Sequence, residues 1–101
     1  MIKITVLYGH PTDAEAFEKY YAETHSEKVN KVSGIAKQEY TKFLLNPDGT
    51  DPAYYRMAEL YFKNQAEMQV AMESTTAKAM VADLSNFASG GVTVLFGEVE
   101  N

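Results

Sequence analysis

Phe17, Tyr21 and His25 recur at intervals of four residues, and His25 is one of only two histidines in the chain. In a helix this spacing stacks the three rings on one face, with Ala14, Tyr20 and Thr24 beside them. Glu15, Glu18, Lys19, Ala22 and Glu23 fall on the opposite arc, so the ring face looks inward and the charged arc looks to solvent. An imidazole titrates nearer neutrality than any other side chain. An inward His25 beside Tyr21 is therefore a candidate catalytic pair, in which the histidine moves a proton and the phenol polarises a carbonyl. The alternative is a structural histidine bonded to a carbonyl or set against the C-terminal dipole of its helix. The two readings differ in whether the ring borders a cavity.

Tyr8, Tyr61 and Phe17 are candidates for binding an apolar substrate, since they offer flat surface and two further hydroxyls. Their alternative is core packing, and alternation does not decide which face of a sheet Tyr8 and Tyr61 occupy. His10 precedes a proline in a loop, which favours the surface. Arg56 and Glu59 point to opposite faces of one strand, and Glu59 reads as half of an interface ion pair.

Several chemistries are excluded at once. The chain has no cysteine, which removes disulfides, thiolate metal sites and a cysteine nucleophile. The two histidines stand 15 residues apart without HExxH or a carboxylate cluster, so no metal is expected. No glycine-rich phosphate loop, GxGxxG or GxSxG occurs, so no nucleotide cofactor and no serine hydrolase is expected. A haem stays open as an alternative, because one histidine suffices to ligate it. The net charge is −5 and the nine Lys and Arg residues are scattered, which argues against nucleic acid. No apolar run approaches the roughly 20 residues that cross a bilayer, and MIKITVLYG leads directly into a strand. The expectation is a cytoplasmic protein without a membrane partner.

These residues must be positioned by a short series of elements. Met1 to Tyr8 reads as a strand with Ile2, Ile4, Val6 and Tyr8 on one face. Thr12 to Glu15 has capping-box spacing and opens a helix whose regular part ends near His25 or Ser26, with a further loose turn allowed before Gly34, because continuing the wheel places Lys28 on the apolar face. Ile35 to Leu45 and Tyr54 to Lys63 read as antiparallel strands joined through NPDGTDP. Asn64 to Glu67 caps a second helix, Ser74-Thr75-Thr76 restarts or kinks it, and Met80, Leu84 and Phe87 continue its stripe. Ser89-Gly90-Gly91 ends it and Val92 to Val99 is the last strand.

The order β-α-β-β-α-β predicts an α+β, ferredoxin-like fold, a four-stranded antiparallel sheet with helices on one face and residues 1–101 as one domain. On the third strand Ala58, Leu60 and Phe62 share one face, and Tyr55, Met57, Glu59 and Tyr61 the other. Both faces thus carry large side chains, and a homodimer through the open sheet face is expected.

The motifs also carry a resemblance. LYG-P-D at the end of the first strand, then AFEKYY, TH, Lys31 and Gly34, followed by Asp48-Gly49, Tyr61-Phe62, Met68, Met72 and NFASGGV, resemble the EthD family. The sequence departs from that pattern just after His25, where SEKV follows and Ser33 precedes Gly34. The resemblance implies a dimeric α/β barrel and association with catabolic or biosynthetic gene clusters. It favours His25 as a functional residue, and a hydrophobic, oxygenated small molecule as ligand of a cofactor-independent enzyme or accessory protein. The reductase label common in the family finds no cofactor motif here. The alternative from another class is a non-catalytic carrier or sensor using the same pocket.

Overall fold

The computed structural model describes residues 1–100; of the span read as one domain, Asn101 lies outside the described residues. Strand β1 (Ile2–Tyr8) is followed by helix α1 (Ala14–Tyr20), a π-helical turn (Tyr21–His25), helix α2 (Ser26–Asn30) and strands β2 (Lys37–Lys42) and β3 (Arg56–Phe62). Helices α3 (Gln65–Met72) and α4 (Thr75–Asp83), a 3₁₀ turn (Leu84–Asn86) and strand β4 (Val92–Glu98) complete the chain. The sheet order is β2-β3-β1-β4, antiparallel throughout, and the helices cover one face. This is the ferredoxin-like α+β fold.

Register explains which side chains meet the helices. Ile4 lies opposite Leu60 and Phe96, and Val6 opposite Ala58 and Val94, so these side chains share one face. Ile4, Leu60 and Phe62 pack with Val29, Val32, Ala71, Ala77 and Met80 as one half of the core. Tyr8, Phe17, Tyr21, Ala58 and Phe87 form an aromatic second half. Strand β4 is left bare on this side: Val94 is 47% exposed and Phe96 70%.

Three local readings are corrected. Asp13, not Thr12, caps α1: its carboxylate accepts from the Ala16 amide at 3.1 Å, while Thr12 bonds the Ser89 hydroxyl. The regular helix does not give way to a loose turn after His25 but runs on to Asn30 through the π turn, in which the Ser26 amide donates to the Tyr21 carbonyl five residues back. Four residues overshoot one α-helical turn by about a tenth. The extra residue in the π turn absorbs that drift, so Val29 and Val32, rather than Lys28, continue the buried face. The Ala22 carbonyl released by the turn accepts the Ser26 hydroxyl at 2.6 Å. Finally, Tyr55 does not share a face with Tyr61: β3 begins one residue later, and the Tyr55 ring packs edge-on against Phe17 at 5.2 Å.

The cap at Asn64 follows the sequence reading, accepting from the Glu67 amide, and the restart read at Ser74 is capped by that serine, which accepts from the Ala77 amide. The exit of β1 is clamped to the entry of β4, with the Gly9 amide donating to the Gly91 carbonyl at 3.0 Å. A Cβ on Gly9 would stand 2.1 Å from the Gly90 carbonyl oxygen, so the close approach itself demands glycine.

The open face of the sheet carries an ionic network. The Lys3 ammonium donates to Glu59 at 2.6 Å, and the Tyr61 hydroxyl donates to Glu39 at 2.7 Å. Glu39 and Glu59 are direct cross-strand partners, and Lys3, Lys37 and Tyr61 hold the two carboxylates together. Among the described residues no helix is long and apolar enough to cross a membrane.

Candidate functional site

The π turn and α4 together build the chemistry. His25 is 4% exposed, and its Nδ1 lies 2.9 Å from Oδ2 of Asp83, which is itself 3% exposed. The other carboxylate oxygen of Asp83 accepts from the Tyr20 hydroxyl at 2.5 Å and from the Asn86 amide at 3.0 Å. Asp83 therefore has donors on both oxygens, and it fixes the imidazole with its proton on Nδ1. Among the described residues Nε2 of His25 has no protein hydrogen-bond partner.

Two cavities meet at His25 and Tyr40. The first, about 210 Å³, lies between the sheet and the helices, with Ile4, Val6 and Leu60 on its floor and Val29, Met80 and Leu84 above. Tyr8 also borders it, and the rest of its lining is almost wholly aliphatic. The second, about 200 Å³, is bordered by Tyr21, Arg56, Ala22 and Ser26 as well as by His25 and Tyr40. Either is below the roughly 300–1,000 Å³ of drug-sized sites, so each takes a small ligand. A haem does not fit a space of this size.

Burial holds the His25 imidazole below its ordinary value, against the opposing pull of Asp83. The neutral ring, competent as a base, thus prevails at neutral pH. Burial pushes Asp83 up, but donors from Tyr20, Asn86 and His25 outweigh it and hold the carboxyl below its usual range. Burial raises Tyr21 to about 12 despite the Arg56 charge, so its hydroxyl is a proton donor. Tyr8 is raised by burial and by Tyr21 beside it, and Tyr40 by burial.

Of the residues expected from sequence, His25, Tyr21 and Tyr8 are brought to these cavities. Phe17 stands behind them in the aromatic cluster, 5.5 Å from Tyr8 and 5.4 Å from Tyr21 between ring centroids, and supports the rings without lining either cavity. Tyr61 is not brought there: it lies on the open face with Glu39 and Glu59. Glu18 leaves the solvent arc to grip Arg56 through two hydrogen bonds, at 2.9 and 3.1 Å. His10 is exposed, bonded to the Pro52 carbonyl. Asp83, Tyr20, Tyr40 and Arg56 are the site residues that sequence reasoning did not assign. The signal for Asp83 was a carboxylate on the apolar stripe between Met80 and Phe87, a position that needs a buried partner. No group of three or more potential metal-ligating side chains converges among the described residues.

The EthD domain pattern matches residues 9–91. The chain belongs to the EthD family. It is 37% identical over 100 residues to an uncharacterized 11.0 kDa protein of the thcB-thcC intergenic region of Rhodococcus erythropolis, covering 99% of this chain and 96% of that one. A crystal structure of an EthD family protein from Bacillus halodurans superposes with a TM-score of 0.92 at 31% identity, covering 99% of both chains. SnoaB of Streptomyces nogalater, a cofactor-independent oxygenase, shares the fold at a TM-score of 0.66 and 12% identity, covering 99% of this EthD protein and 92% of SnoaB.

Proposed function

We propose that this EthD family protein is a cytoplasmic homodimer acting, without a cofactor, on a hydrophobic oxygenated small molecule in a catabolic or biosynthetic route. His25 is its general base and Tyr21 its polarising acid, while Tyr8 shapes the apolar chamber. The observation that carries this reading is the Asp83–His25 pair: a buried carboxylate orients Nδ1 and stabilises the imidazolium, and the partner-free Nε2 belongs to a ring bordering two cavities. Carboxylate orientation of a histidine is the logic by which hydrolytic triads keep the correct tautomer. A fold shared with a cofactor-independent oxygenase is consistent with it, although fold alone does not set chemistry.

Dimerisation through the open sheet face is supported by side chains that the helices leave uncovered, including Leu95 at 51% exposure. The aliphatic lining of the larger cavity favours a second reading, a carrier or sensor that binds without turnover. Proton exchange separates the two. The wild-type protein is expected to accelerate exchange of deuterium from solvent into the α-carbon of 2-tetralone, read by mass spectrometry, and His25→Asn to abolish the acceleration. Saturable binding of 2-tetralone with no exchange above buffer supports the carrier instead.

A further inference from the structure

The Tyr21 hydroxyl is buried in a residue 8% exposed and makes no hydrogen bond among the described residues, with the Tyr8 hydroxyl and the Arg56 guanidinium near it but not closing on it. A buried unpartnered donor beside a cavity costs folding free energy, which a ligand acceptor recovers. Above the same ring, 4.9 Å from its centroid, sits the Arg56 guanidinium. Arg56 and Lys42 share the single carboxylate of Glu18, at 2.9 and 3.8 Å. Asp83, the other nearby carboxylate, is engaged by Tyr20, Asn86 and His25. The site thus has an apolar chamber at one end and the Arg56 guanidinium beside the Tyr21 phenol at the other, with His25 and Tyr40 shared between them.

We infer that Tyr21 and Arg56 form an anion-stabilising end, so that the ligand class is an apolar molecule of one or two rings bound as its phenolate or enolate. This rests on the proposed role of His25. The ligand's O–H, or the C–H next to its carbonyl, breaks heterolytically; the proton goes to Nε2 of His25 and the electron pair comes to rest on the ligand oxygen. Tyr21 then donates a hydrogen bond to that oxygen and Arg56 supplies the charge, while Asp83 balances the imidazolium. No oxidant or reductant enters the step.

The test compares 4-nitrophenol with nitrobenzene, which have nearly the same shape but only one of which ionises. Binding is read by calorimetry and ionisation by the visible phenolate band. The wild-type protein is expected to bind the phenolate about tenfold or more tightly than nitrobenzene, and to lower the pH at which the bound phenol ionises by about one pH unit. Arg56→Gln and Tyr21→Phe should each remove most of that preference, and Arg56→Lys should keep part of it. Should Arg56→Gln fail to fold because Glu18 is left unpaired, the double variant Glu18→Gln with Arg56→Gln replaces it. Equal binding of the two probes overturns the inference and leaves the His25 reading intact. A preference unchanged in both Arg56→Gln and Tyr21→Phe also overturns it, and binding of neither probe overturns both readings.

Discussion

Tyr21 and Tyr61 stand on opposite sides of one sheet, and both phenols ionise at about 12, for unlike reasons. Tyr21 owes its shift to burial, which disfavours the phenolate against the pull of Arg56. Tyr61 owes its shift first to the hydrogen bond it gives Glu39, and after that to desolvation and the neighbouring Glu59 charge. One side of the sheet therefore works by burial among rings, the other by pairing charges on a face that the helices leave open. The first is costly to disturb and suited to chemistry; the second is screened by salt and suited to register or recognition.

The largest effect that separates the two sides is expected at Asp83. Replacing it by alanine strands the Tyr20 hydroxyl, the Asn86 amide and Nδ1 of His25, and should cost about 3 kcal/mol in urea unfolding. A loss well under 1 kcal/mol would mean that the carboxylate does not organise this side. His25→Asn should cost less, about 1–2 kcal/mol, because one hydrogen bond and the ring contacts with Tyr21 and Phe87 are lost while Asp83 keeps two donors.

The pH dependence of stability sharpens the contrast. The folded His25 imidazole sits below its ordinary value of 6.5, so the unfolded chain takes up the proton first as pH falls. Stability linked to this group is complete above about 6.5 and is lost as pH drops through the folded value. Unfolding midpoints measured from pH 8 down to pH 5 should decline, and the decline should be shallower in His25→Asn. An equal slope in both proteins would remove His25 as its source.

On the open side, effects should be small for folding and visible in association. Glu59→Arg or Tyr61→Asp should shift light-scattering mass toward the monomer at micromolar concentration, while Glu23→Arg on the exposed arc of the first helix should not. Glu18, which sequence places on that arc, is no neutral control, because it holds Arg56. The smallest change is Glu39→Gln: it should bring Tyr61 ionisation down from about 12 toward the ordinary 10.0 in a spectrophotometric titration, with little change in stability.

The element order, the cap at Asn64, the break at Ser74 and the facing of Ile4, Val6, Ala58 and Leu60 were legible because they depend on local chemistry and period. The ring stripe from Phe17 to His25 was legible for the same reason. What was not legible depends on distant partners or on departures from the period. A wheel drawn at constant pitch has no place for a π turn, so it ended the helix where the chain in fact continues. Glu18 read as a surface charge and Asp83 was not singled out, because their partners, Arg56 and His25, are 38 and 58 residues away in sequence. Tyr61 could not be assigned to a face until β3 was paired with β1 and β2.

The π turn between Tyr21 and His25 amounts to a single inserted residue, which the wide turn takes up without passing the offset on to the helix beyond it. Deleting Ala22 would let ordinary α geometry close over the gap with the residues from His25 onward nearly in place, where the same deletion in a regular helix rotates everything downstream by about 100°. His25 would then keep Asp83, and Val29 and Val32 would keep the core. A relative one residue shorter between these two rings would thus present the same imidazole to the same carboxylate, and an alignment gap here would mark the loss of a bulge and not a change of chemistry.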